Sequence, residues 1–104
     1  MNIQELTQAM HTFVKSQGWY EPDNPRKQTL RNLAISLSLE ASEVLEHFQW
    51  SDNLDNSDEL ASELADVALY LLQIASIAEI DLEKSIMNKL QHNYNRQWPG
   101  LVSE

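Results

Sequence analysis

The sequence has no cysteine, only two glycines, and no Lys or Arg anywhere between Asn32 and Glu83. Without cysteine there is no disulfide framework, no thiolate zinc site and no sulfur nucleophile. Two glycines cannot build a G-x-G-x-x-G turn or a Walker loop, so Gly-rich phosphate cradles are excluded. No signal-peptide core and no apolar run of about 18 residues stands out, so the expectation is a soluble, cytoplasmic protein with no membrane partner. No stretch alternates apolar and polar residues as a half-buried strand does. Repeats, low-complexity tracts and linkers are also missing, so residues 1–104 read as a single domain.

What the chain does have is acid. Its formal net charge is −9, from 16 Asp and Glu against 7 Lys and Arg. Such a balance argues against a nucleic-acid polymer as partner. The base-free centre holds twelve of the acids, from Glu40 to Glu83. Arg26, Lys27 and Arg31 precede this block, and Lys84, Lys89 and Arg96 follow it. A single-sign centre flanked by the other sign points to a site.

Periodicity predicts four helices and an all-α, four-helix bundle-like fold. The first spans about Ile3 to Gln17 and stops at Gly18. A loop with Pro22, Asn24 and Pro25 leads to the second, from about Thr29 to Trp50, with Thr29 or Asn24 as candidate caps. The third starts near Ser57, read as its N-cap, and runs to about Ala78. Asp81 caps the fourth, which ends before Pro99-Gly100.

On helical wheels at about 100° per residue, Glu40 and Glu43 flank the apolar stripe of the second helix, and Glu63 and Asp66 flank that of the third at the same offset. The short connection makes the two helices antiparallel neighbours. The four carboxylates are then directed toward one another, raising their own pKa values. A hard divalent cation, Mg²⁺ or Mn²⁺, relieves that repulsion and leaves positions for water and phosphate. The alternative is a solvated acidic face. Two features weigh against it: both pairs border the stripe, and neither has an i+4 base to neutralise it. Glu46 is more exposed on the wheel, and His47 reads as a polar rim residue. No His follows a Glu at the Glu-x-x-His spacing of di-iron bundles.

A triphosphate also needs cationic contacts. Lys89 and Arg96 on the fourth helix suit phosphate oxygens, with Asn93 beside them. Arg31 and Asn32, two turns ahead of Glu40, are positioned to reach the same cleft. Trp19 and Trp50 bracket the second helix and are candidates for stacking on a base.

The segments Leu30-Arg31-Asn32-Leu33, Glu40-x-x-Glu43 through Phe48-Gln49-Trp50, Glu63-x-x-Asp66 through Tyr70, and Ile80-Asp81-Leu82 followed by Lys89 and Asn93 together resemble the MazG-type all-α nucleoside triphosphate pyrophosphohydrolases. The resemblance implies subunits assembled as a dimer or dimer of dimers. It implies Mg²⁺-dependent cleavage of (deoxy)nucleoside triphosphates to monophosphate and pyrophosphate, as nucleotide-pool housecleaning. It places Glu40, Glu43, Glu63 and Asp66 as metal ligands and catalytic residues. It assigns Lys89 and Asn93 to phosphate or sugar, Trp50 to the base, and Tyr70 to the site's border. The chain departs from the family pattern at Lys27-Gln28-Thr29, where a His-containing stretch is common. It departs again at Arg96-Gln97-Trp98-Pro99, in place of a K-Y-P ending. Rival readings are a related phosphoribosyl-ATP or dUTP pyrophosphohydrolase, and a non-enzymatic acidic helical interaction module.

Overall fold

The computed structural model describes residues 1–96. Four α-helices account for its regular structure: α1 (Ile3–Ser16), α2 (Leu30–Glu46), α3 (Ser57–Ile77) and α4 (Leu82–Asn95), with no strand among the described residues. Gln97, Trp98 and Pro99 of the ending singled out in the sequence lie outside the described residues.

Each helix is opened by a side chain that accepts from the N–H three residues on: Asn2 from Glu5, Thr29 from Asn32, Asn56 from Glu59 and Asp81 from Lys84. These oxygens satisfy amides that have no intrahelical carbonyl. Thr29 and Asp81 are the caps the sequence predicts. On α3 the cap is Asn56 and Ser57 is the first helical residue. A carboxamide oxygen one position earlier takes the role assigned to the serine hydroxyl. The second helix also ends sooner than expected, at Glu46. From His47 to Gln49 the amides bond carbonyls three residues back, a tightened turn that leads the chain into the 50–56 connection.

The helical packing is that of a hairpin with one added arm. α2 and α3 pack along one another, α1 lies against α3, and α4 touches the rest only sparsely. The buried core is small: Met10 and Val14 of α1 meet Leu72 of α3, with Ile3, Trp19, Tyr20 and Leu82 packed around them. Leu33 of α2 and Ala75 of α3 are also buried. α3 is long and apolar enough, by length and composition, to cross a membrane, contrary to the sequence expectation that no such run exists. Here it is the central packing helix, with Asp58, Glu59, Glu63 and Asp66 in its first half.

Candidate functional site

The α2–α3 packing brings the two acid pairs together. Glu40 is half-buried, and its Oε2 is enclosed with no hydrogen-bond partner. Burial raises its pKa above the ordinary carboxylate range, and the Glu43 carboxyl beside it, then Asp66 and Glu63, push it in the same direction. An i, i+3 pair on each helix at matching offsets from the packed stripe produces this convergence. Glu63 and Asp66 are half-buried and Glu43 is exposed.

His47, read from the sequence as a rim residue, directs its Nε2 at Glu63 Oε2 and is hydrogen-bonded to it. The tightened turn after Glu46 carries the imidazole there. One Glu63 oxygen is therefore engaged. Among the described residues no group of three or more His, Asp or Glu side chains is drawn in closely enough to hold a metal ion as it stands. The donor chemistry nevertheless fits a hard cation: carboxylate oxygens alone, one of them enclosed without a partner.

Beside the acids a cleft of about 750 Å³ opens between α1, α2, α3 and the 17–29 loop. Glu40 and Asp66 stand at one end. Tyr70 and Gln73 continue along α3, Asn32 along α2, and Trp19, Arg26, Lys27 and Gln28 come from the loop. Trp19 is held edge-on by Phe13, with ring centroids 5.6 Å apart. Asn32 donates from Nδ2 to the Lys27 carbonyl at 3.0 Å, pinning the loop to the start of α2.

The sequence candidates divide accordingly. Glu40, Glu43, Glu63 and Asp66 come together; Asn32, Tyr70 and Trp19 share the adjoining cleft. Arg31 is exposed and not part of the lining; the loop supplies Arg26 and Lys27 as the cleft's cations. Trp50 is 90% exposed, past the end of α2. Lys89, Asn93 and Arg96 lie on or just past α4, which contributes nothing to the cleft lining. Gln73 escaped the sequence reading, and Gln28 entered it only within the Lys27-Gln28-Thr29 departure from the family pattern. Gln73 is the buried polar residue of the core, at 4% exposure, on a helix whose apolar run gave no reason to single it out.

The same arrangement of helices occurs in a pyrophosphatase from Archaeoglobus fulgidus, whose crystal structure matches with a TM-score of 0.76 and 33% sequence identity over 89% of each chain. At lower identity the chain resembles dCTP pyrophosphatase 1 of Rattus norvegicus, 25% identical over 90% of this chain, and of Homo sapiens, 25% identical over 94% of it. The chain spans 58% and 59% of the length of these two relatives. The model of the MazG-like family matches residues 35–99, a stretch that takes in both acid pairs, and the chain belongs to that family.

Proposed function

We propose that this protein hydrolyses nucleoside triphosphates between the α and β phosphorus atoms, releasing the monophosphate and pyrophosphate. The observation that carries this reading is the enclosed, partnerless Glu40 Oε2 among three further carboxylates at the mouth of a nucleotide-sized cleft. Glu40, Glu43, Glu63 and Asp66 are the residues that would hold Mg²⁺ or Mn²⁺. Such an ion, when bound, neutralises phosphate charge and lowers the pKa of a coordinated water.

The chain's own groups do the rest. A carboxylate of the cluster accepts the proton of the attacking water, acting as general base. The His47 imidazole holds Glu63 in one orientation, as outer partners of ligating carboxylates do. Arg26 and Lys27 bring positive charge to the loop side of the cleft, which attracts an anionic nucleotide from solution. The cleft between Trp19 and Tyr70 takes the nucleoside. We further propose that subunits associate as a homodimer or homotetramer, through which Lys89 and Asn93 of α4 reach a site they do not reach within one chain.

Pyrophosphate release from a panel of deoxynucleoside triphosphates with Mg²⁺ tests the reading. The expected result is turnover by the wild type that EDTA abolishes, and losses of about a hundredfold or more in Glu43→Ala and Asp66→Ala. An inert wild type, or full activity in both variants, overturns it.

A further inference from the structure

At the end of the cleft away from the acids lies an amide pair whose orientation the structure determines. Gln28 Nε2 donates to the Arg26 carbonyl at 2.9 Å. A carbonyl only accepts, so the Gln28 amide nitrogen must be on that side and its Oε1 must face Gln73. That oxygen accepts from Gln73 Nε2 at 2.8 Å, and the same nitrogen donates to the Tyr20 hydroxyl at 3.2 Å. Both Gln73 donors are therefore used, and the amide is locked with Oε1 as its remaining polar atom. Among the described residues no donor is hydrogen-bonded to that oxygen. Both glutamines line the cleft. Gln73 is only 4% exposed as a residue, yet its Oε1 is not among the enclosed, unpartnered atoms, so this acceptor is the part of the amide left open to a ligand in the cleft.

Gln73 lies seven residues beyond Asp66 on the same helix, about 10 Å along its axis. That interval leaves room for a sugar between a phosphate at the acids and a base at the amides. We propose that Gln73, oriented by Gln28, is a specificity-determining residue that accepts a hydrogen bond from the exocyclic amino group of the nucleobase. The proposal builds on the pyrophosphohydrolase reading above. Cytosine and adenine present an amino donor at that position, whereas uracil and thymine present a carbonyl oxygen. Against a fixed acceptor, the carbonyl finds no partner and sets lone pair against lone pair. A site built to pair one polar group discriminates against the analogue lacking it.

The test compares kcat/KM for dCTP, dATP, dUTP and dTTP in the wild type, Gln73→Met, Gln28→Met and Tyr20→Phe, with folding checked by thermal melting. A second readout, independent of turnover, is the melting shift produced by dCMP against dUMP. The wild type is expected to favour the amino-bearing bases by about tenfold. Gln73→Met should abolish that ratio while still turning over dUTP. Gln28→Met should narrow it by freeing the amide to turn, and it keeps the proposal testable should Gln73→Met not fold. Tyr20→Phe removes the acceptor of one Gln73 N–H but leaves Gln28 Oε1 to orient the amide and Gln73 Oε1 to face the base, so it should retain the ratio even if it melts earlier; a role for Gln73 in packing alone predicts that the ratio follows the loss of stability instead. A preference for keto bases, or an unchanged ratio in folded Gln73→Met, overturns the proposal. Turnover with no base preference refutes this inference alone, whereas a wild type inert toward all four triphosphates refutes the enzymatic reading beneath it.

Discussion

His11 is held between two hydroxyls, with Nδ1 2.7 Å from Tyr20 Oη and Nε2 2.7 Å from Ser76 Oγ. Because Tyr20 already accepts from Gln73, its own hydrogen is free to go to Nδ1, and Nε2–H then donates to Ser76. The neutral imidazole satisfies every partner. Protonation would force Tyr20 to accept from both sides and strand its hydrogen. Burial, with a smaller contribution from the Lys15 charge, accordingly lowers the His11 pKa below its ordinary value. The folded state thus binds fewer protons than the unfolded chain in this range. Its stabilising contribution is complete above the unfolded histidine pKa of about 6.5 and is lost as pH falls through that value toward the lower folded one. Urea unfolding at pH 7.5 and 5.5 should show a loss of stability in the wild type that is smaller in His11→Gln. An identical pH dependence in the two proteins would show that His11 does not carry it.

Among the elements, the two helix ends of α1 and α3 have the same hydrogen-bond pattern but different residues at the critical position. After α1, Gly18 has φ +73° and the bonds run from Gly18 N–H to the Lys15 carbonyl and from Trp19 N–H to that of Val14. After α3 the equivalent bonds run from Glu79 to Ser76 and from Ile80 to Ala75, and the left-handed residue is Glu79, with φ +59°. Both are Schellman closures. A Cβ in this conformation costs roughly 1 kcal/mol. Glu79→Gly is therefore expected to stabilise the protein by about 1 kcal/mol, near 5 °C in melting temperature for a chain of this size. Glu79→Gln keeps the strain while removing the charge, so it should give little of that gain; equal gains in both would assign the effect to charge.

The contrast between these helix ends also shows what a sequence can reveal. Gly18 reads as a stop because glycine is the residue the closure favours, while Glu79 gives no such signal. The acid pairs were legible because their phase relative to an apolar stripe is a local property of each helix. Arg26 and Lys27 entering the cleft in place of Arg31 was not, because it depends on the path of the 17–29 loop. The burial of Gln73 was hidden for the same reason: its partners Tyr20 and Gln28 are 53 and 45 residues away in the chain.

At the scale of the molecule, much apolar surface is left outside the core. The radius of gyration is 17.0 Å, against about 13 Å for a compact domain of about 100 residues. α4 carries an amphipathic stripe that the chain itself leaves uncovered: Ile86 is 44% and Leu90 48% exposed, and Leu64 and Leu71 of α3 are similarly open. Exposed apolar groups this numerous, on a chain whose own core comprises a few residues, are what the proposed association of subunits would cover. Sedimentation velocity should give a mass of two or four times 12.0 kDa. The double variant Ile86→Glu, Leu90→Glu places two charges in the stripe without altering the acid cluster or the cleft. It should lower the assembly state and the melting temperature together, and make melting less dependent on protein concentration. Loss of turnover in that variant, with the chain still helical, would place α4's contribution across the subunit boundary, because Lys89 and Asn93 remain in the sequence but have lost the site they serve. A wild type that sediments as a 12.0 kDa monomer at micromolar concentration would refute the assembly and leave those two residues without a role in the reaction.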